Sequence, residues 1–280
     1  MSDIRVWVDG ALVGADTPAV SAVDHGVTVG DGAFETAKIE HSTPFAITRH
    51  LRRLDRTVAG LGLPPADHAR IREGVEAVLG GKPIGFGRLR FTVTGGRGPL
   101  GSDRQDSDLT HIVTAVPHAR PDAHGAVVTV PWVRNERAAT AGLKTTSYAD
   151  NVIALARAKH QGAHEALLAN TRGELCEATG SNVFVVVDGV VRTPPLASGC
   201  LAGITRELVL EWCAADGLEV VEEALPLDVL TRADEVFLTS SIKDVFPVSA
   251  VDGRALPAPG PVSARVQQVW AEHAALGVDP

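Results

Sequence analysis

The chain is poor in cysteine, in lysine and above all in tyrosine. Its three cysteines, Cys176, Cys200 and Cys213, are odd in number and show no C-x-x-C spacing. That argues against a disulfide framework and against a thiolate metal site, and it makes a reducing cytoplasm the simplest location. No apolar run approaches the roughly 18 residues that cross a bilayer, so a membrane role is not expected. Met1-Ser2-Asp3-Ile4-Arg5 enters a strand-like segment directly, without the basic, apolar and small-residue sections of a secretory signal. Basic clusters are also missing. Lys and Arg total 26 against 34 Asp and Glu, a net charge of −8, and the cations are dispersed, so nothing in the chain matches a polyanionic nucleic acid. Neither a G-x-S-x-G elbow, nor H-E-x-x-H, nor a P-loop occurs, and the ten histidines lack ligand spacing, which removes the usual hydrolase, zinc-protease and NTPase readings. Gly30-Asp31-Gly32 and Gly85-Phe86-Gly87 begin like nucleotide fingerprints, yet neither completes G-x-G-x-x-G.

What is present suits an ordinary globular protein. The 280 residues, 45% hydrophobic and 21% charged, suffice for one large domain or two of common size. Asp9-Gly10, Asp188-Gly189 and Asp252-Gly253 each separate two strand-like runs, and Asp-Gly tolerates the positive φ angles of a tight hairpin turn. Leu51, Leu54, Val58 and Leu61 recur at helical spacing and predict a helix from about Thr48 to Leu63; Ile71, Val75 and Val78 predict another from about Pro65 to Leu79. Arg88 to Val93 alternates as a half-buried strand. Further strands are expected near 127–130, 165–170 and 234–239, and further helices near 148–161, 204–216 and 262–276. The polar stretch 118–125 holds both proline and glycine and is the best linker. Two α+β domains are therefore expected: a small N-terminal α/β domain over 1–119, a linker at 120–125, and a larger C-terminal domain over 126–280 with an antiparallel-rich sheet.

Five places carry possible chemistry. Lys144 is one of only five lysines and the only charge between Arg137 and Asp150. Desolvation there would lower its pKa and free its amine for attack on an aldehyde, although a plain surface lysine fits as well. Glu177 opens Glu-Ala-Thr-Gly-Ser-Asn, a polar turn before an apolar strand, where a carboxylate can face a heterocyclic nitrogen or where turn residues simply bond themselves. Gly203-Ile204-Thr205-Arg206 begins a helix whose N-terminus can hold a phosphate, or whose threonine merely caps it. Ser240 and Ser241 supply two hydroxyls where a strand stops, or simply make a turn. On the first helix Arg52 and Arg53 are adjacent, and one of them can turn inward, Arg53 being placed to grip a phosphate.

Taken in order, these pieces resemble the class IV aminotransferase family, the fold type IV pyridoxal-phosphate enzymes. The resemblance is carried by Asp24-His25-Gly26, by Gly30-Asp31-Gly32-Ala33-Phe34-Glu35-Thr36, by His50-Leu51-Arg52-Arg53-Leu54 and by Leu143-Lys144-Thr145-Thr146-Ser147-Tyr148. It continues through Gly162 to Leu168, Glu177 to Phe184 and Gly203 to Arg206. It implies pyridoxal 5′-phosphate as cofactor, Lys144 as the lysine that condenses with its aldehyde and moves protons, and Glu177 as partner of the ring nitrogen. It places Arg53, Ile204, Thr205 and Ser241 in the phosphate cradle, with Ser181, Asn182, Leu201, Gly203 and Ser240 around the cofactor. Tyr148, the sole tyrosine, falls where the family often has a neighbour of the ring oxygen. Phe34, Lys38 and Arg97 are the implied substrate contacts, Arg97 as a carboxylate anchor. A homodimer acting on a small amino substrate that bears a carboxylate is likewise implied. Phe34 to Lys38 and the loop Thr94-Gly95-Gly96-Arg97-Gly98 are similar to the lyase members, so 4-amino-4-deoxychorismate lyase is the first expected activity. An aminotransferase of D- or branched-chain amino acids is the second, and a non-catalytic cofactor-binding protein a remote third.

Overall fold

A computed structural model describes residues 3–280 as two compact units. One holds the chain up to Arg120 together with Leu143–Tyr148 and Val278–Pro280; the other holds Pro121–Gly142 and Ala149–Gly277.

The first unit is an antiparallel sheet covered by two helices. Its strands are β1 (Arg5–Val8), β2 (Ala11–Val13), β3 (Gly32–Glu40), β4 (Thr43–Pro44), β5 (Phe86–Thr94) and β6 (Thr110–Pro117), in the order β2-β1-β6-β5-β3-β4. Asp9 and Gly10 turn the first hairpin with φ of +45° and +101°, the conformation that favours this pair. A one-turn helix α1 (His25–Thr28) is capped by Asp24. Helices α2 (Ile47–Gly60) and α3 (His68–Leu79) bury Leu51, Leu54, Val58, Ile71, Val75 and Val78 against Trp7, Leu89, Phe91 and Val93. The start of α3 falls three residues later than the periodicity suggests, because Asp67 accepts from Ala69 N and Arg70 N and so sets the cap. The cap of α2 comes from far along the chain: Asp279 accepts from Thr48 N at 2.9 Å and from its hydroxyl at 2.6 Å.

The second unit contains β7 (Gly125–Arg134), α4 (Ala149–His160), β8 (Glu165–Asn170), β9 (Leu175–Ala178), β10 (Asn182–Val187), β11 (Val190–Thr193), α5 (Ile204–Ala215), β12 (Val220–Glu222), β13 (Glu235–Ser240), β14 (Asp244–Val251), β15 (Arg254–Ala255) and α6 (Pro261–Ala274). The sheet runs β12-β11-β10-β13-β14-β7-β8-β9, with β15 on β14. Pairs β11/β12, β7/β14 and β7/β8 are parallel and the others antiparallel. The other two Asp-Gly turns join β10 to β11 and β14 to β15, all four residues at positive φ. Phe184 and Phe237 are register partners and stack at 4.8 Å in the core. No helix among the described residues is long and apolar enough to cross a membrane.

Leu143–Tyr148 was expected inside the C-terminal domain, but it packs with the first unit. Long-range backbone pairing, which local pattern does not reveal, holds it against β3.

Candidate active site

In the first unit, the lysine-bearing segment lies along the start of β3 as a short extra edge. Phe34 N donates to Lys144 O at 3.0 Å, Thr146 N donates to Gly32 O at 2.8 Å, and Ala33 bridges Thr145. Gly30 permits the approach: its φ is +68°, and a β-carbon there would stand 2.7 Å from Ser147 Oγ. The Thr146 and Ser147 hydroxyls both donate to Gly30 O, at 2.7 and 2.9 Å. Lys144 N donates to Thr57 Oγ1 of α2 at 3.2 Å. With its backbone held from two sides, Lys144 sets Nζ 4.3 Å from the Phe34 ring centroid and 5.9 Å from that of Tyr148. The two rings meet edge to face at 5.3 Å. Lys144, Phe34 and Tyr148 are thus brought together.

A fourth member was not singled out in the sequence. Arg90 lies with its guanidinium carbon 3.8 Å from the Phe34 centroid and donates from Nε to Thr92 Oγ1 at 3.3 Å. It is half-buried, desolvation pulls its pKa down, and no carboxylate among the described residues pairs with it. Strand alternation was the available signal: Leu89, Phe91 and Val93 are buried in the core, which turns Arg88, Arg90 and Thr92 to the opposite face.

Glu35, next to Phe34 on β3, faces the other way and is fully buried. It accepts from Arg53 Nε at 2.8 Å and Nη2 at 2.7 Å, and its Oε2 lies 2.6 Å from His50 Nδ1. Burial alone would raise the Glu35 pKa, but the charge and hydrogen bonds of Arg53, aided by His50, hold it down at about 2. His50 is held below its ordinary value by burial, against the pull of Glu35. Arg53 does turn inward from α2, while Arg52 is exposed; its Nε and Nη2, however, lie on Glu35. Both shifts act on stability in one sense, because the unfolded chain takes up protons that the folded one resists. The fold is expected to lose stability below the usual histidine value of 6.5, and again as pH falls from 4.5 toward 2. Urea titrations between pH 8 and 3 would read this; a flat midpoint would contradict it.

Two implied substrate contacts are placed elsewhere in this unit. Lys38 is buried at the far end of β3, roughly 13 Å along the strand from Phe34 at about 3.3 Å per residue, with Nζ 3.6 Å from Glu40 and over the Phe45 ring. Arg97 is exposed on the loop after β5, its carbonyl accepting from Ser107 Oγ at 2.8 Å. With Gly98, Pro99 and Gln105 it lines a surface pocket of about 410 Å³.

The second unit gathers most of the implied cofactor contacts. Glu177, on β9, lies with Oε1 3.0 Å from Arg134 Nε, and Oε2 accepts from Leu201 N at 2.9 Å. Asn182 Nδ2 donates to Leu201 O at 2.8 Å, so one backbone residue joins the two side chains. Gly203 follows as N-cap of α5, and a β-carbon on it would fall 1.9 Å from Asn182 Oδ1, so only glycine fits. Gly203, the N-cap of α5, offers no side-chain cap, and Ile204 and Thr205 in the first turn are buried. Ser181 Oγ donates to the buried Glu165 at 2.6 Å. Ser240 Oγ accepts from Lys243 N at 3.3 Å, and Ser241 is half-buried in the same turn. Arg134, Glu165 and Lys243 carried no local signal, because each acts through a partner distant in sequence. No group of His, Cys, Asp and Glu among the described residues is disposed to hold a metal.

A model of the class IV amino-transferase family matches residues 32–251. Among curated relatives, a putative branched-chain-amino-acid aminotransferase of Methanocaldococcus jannaschii is 32% identical over 90% of this chain and 90% of its own. D-alanine aminotransferase of Bacillus licheniformis is 31% identical over 94% and 95%. Aminodeoxychorismate lyase of Bacillus subtilis is 26% identical over 88% and 86%. Among solved structures, a hypothetical aminotransferase from Mycobacterium tuberculosis in its PLP-bound form superposes with a TM-score of 0.86 at 27% identity, covering 99% of this chain and 100% of that one.

Proposed function

The chain belongs to the class IV aminotransferase family and is a pyridoxal-phosphate-dependent enzyme, and within that family we propose that it is an aminotransferase moving an amino group from an α-amino acid to a 2-oxo acid. The observation that carries this choice is Arg90 and Lys144 on one ring, that of Phe34. An α-amino acid and a 2-oxo acid both hold a carboxylate one carbon from the reacting centre. A guanidinium with no carboxylate partner among the described residues, beside the amine, suits both substrates.

The residues fit the cofactor. Gly203 leaves room against Asn182 and, as N-cap of α5, brings no side chain to its first turn, and Glu177 is held between Arg134 and Leu201 N. When bound, pyridoxal phosphate supplies an aldehyde and an electron-withdrawing ring. Lys144 Nζ would be the amine that condenses with that aldehyde, with loss of water, and the base that carries the proton to and from the substrate α-carbon. Glu177 is assigned to hold a proton on the ring nitrogen, Tyr148 to orient the ring oxygen, and Ile204, Thr205, Ser240 and Ser241 to bind phosphate at the positive end of α5. Arg53 is assigned to the phosphate by the family resemblance alone, since its Nε and Nη2 lie on Glu35. Phe34 orients Lys144 and shields it from water.

Replacing Arg90 with alanine should raise KM for amino acid and 2-oxo acid alike by roughly 10- to 100-fold, the worth of a hydrogen-bonded charge pair of about 1.5–3 kcal/mol, with a smaller change in kcat. An unaltered KM in initial-rate measurements removes Arg90 from this role.

A second reading, aminodeoxychorismate lyase, is favoured by the exposed Arg97 beside a surface pocket. That substrate has two carboxylates and would use a second cation. Incubation with D- and L-amino acids plus 2-oxoglutarate, and separately with aminodeoxychorismate, decides between the two: transamination without 4-aminobenzoate supports the first, and the reverse overturns it.

We also propose a homodimer, supported by Val152, Ile153 and Leu155 exposed on α4 of the second unit. Light scattering should report twice the 29.3 kDa chain mass, and Ile153→Asp should shift the mass toward that of the monomer. A wild-type monomer would contradict the assembly.

A further inference from the structure

We propose that Glu165 and Lys243 form a part-buried clamp that keeps the two cofactor-holding turns of the second unit in register and thereby sets the affinity for the cofactor phosphate ester. This rests on the cofactor assignment above, and it gives a role to two residues that touch neither cofactor nor substrate in that assignment.

The observation is one carboxylate serving two separate turns. Glu165 opens β8 and is only 4% exposed. From the turn between β9 and β10 it accepts from Thr179 Oγ1 at 3.1 Å, Gly180 N at 2.7 Å and Ser181 Oγ at 2.6 Å. From the turn between β13 and β14 it accepts from Lys243 Nζ. Strands β10 and β13 pair with Asn182 opposite Thr239, so both turns leave the sheet at the same end. The first turn joins Glu177 to Asn182, and the second contains Ser240 and Ser241. The second is itself tightly bent: Lys243 N donates back to Ser240 Oγ, and Asp244 is at φ +54°. The Lys243 ammonium lies over the Phe246 ring at 4.9 Å, which holds the stem against the sheet.

An ion pair with one buried partner adds little net stability over apolar residues of equal volume, yet losing Lys243 strands the buried Glu165. What such a pair gives is position. Without Lys243, the 240–244 turn has no link to Glu165. Without Glu165, the ammonium and three donors of the 179–181 turn lose a common acceptor. Both are positioning residues.

Pyridoxine 5′-phosphate has an alcohol where the cofactor has its aldehyde, so its binding does not depend on Lys144. Titrated calorimetrically into apo wild type, it should bind roughly tenfold more weakly to Lys243→Met and to Glu165→Gln, an interaction of about 1.4 kcal/mol. The double variant should be no weaker than the worse single one, and Lys243→Arg should restore binding to within roughly threefold. Singles that bind like wild type while melting at lower temperature would reduce the pair to a structural contact and overturn the proposal. So would strictly additive losses. If Lys243→Met loses its cooperative melt, Glu165→Gln and Lys243→Arg still decide. Wild type that binds neither pyridoxine phosphate nor pyridoxal phosphate would instead overturn the cofactor assignment.

Discussion

Lys144→Ala should abolish covalent cofactor capture and lower turnover by roughly ten-thousand-fold or more. The size follows from two losses at one atom: Nζ is both the amine that attacks the aldehyde and the base that moves the substrate proton, and positioned acid–base groups alone contribute about 10²–10⁴-fold. The substitution should leave the fold intact, because the segment is held by backbone bonds at Phe34, Thr146 and Thr57 Oγ1, none of which uses the lysine side chain. The visible absorption of the loaded wild type should therefore disappear while the melting temperature changes little. Added primary amines should restore a fraction of the activity by supplying the missing base. Turnover within tenfold of wild type would mean that another of the five lysines does the work.

Glu177→Gln should lower kcat by about 10²–10³-fold while the cofactor stays bound, because a preorganised charge facing the ring acts on the reacting state rather than on retention. Glutamine keeps an oxygen to accept from Leu201 N, so the loop that leads to α5 should keep its place. What is lost is the charge, and Arg134 then stands 3.0 Å from a neutral group. Cofactor affinity unchanged within a few fold, together with a large loss of kcat, is the expected pair of results. Equal losses in both would make Glu177 a binding residue only, and unchanged kcat would remove it from the chemistry.

Local signals in the sequence reached the elements and pointed to Lys144, Glu177, Arg53 and the start of α5, while the other candidate residues came with the family resemblance. Asp-Gly pairs marked three hairpins, apolar periodicity marked α2 and α3, and the isolation of Lys144 among small uncharged neighbours drew attention to it. What it could not reach depends on partners far apart in the chain. Leu143–Tyr148 looked like a loop of the C-terminal half, yet Gly30 and Gly32 accept it into the first unit. Arg53 looked ready for a phosphate, and nothing nearby announced that Glu35, eighteen residues earlier, would take two of its nitrogens. Lys38 shares the Phe34 face of β3 by alternation, but strand length carries it to Glu40 and Phe45. Arg90 was hidden in plain alternation, since a polar strand face is usually just solvated. Glu165 and Lys243, seventy-eight residues apart, meet only after β8 and β14 have folded into one sheet.

The most direct test is chemical. The protein is loaded with pyridoxal phosphate, treated with borohydride to fix the carbon–nitrogen bond, digested and mapped by mass spectrometry. The pyridoxyl group should be found on Lys144 alone. A label on Lys243 or on any other lysine with Lys144 unmodified, or no label at all on saturated protein, would contradict the assignment of Lys144 as the amine on which the chemistry turns.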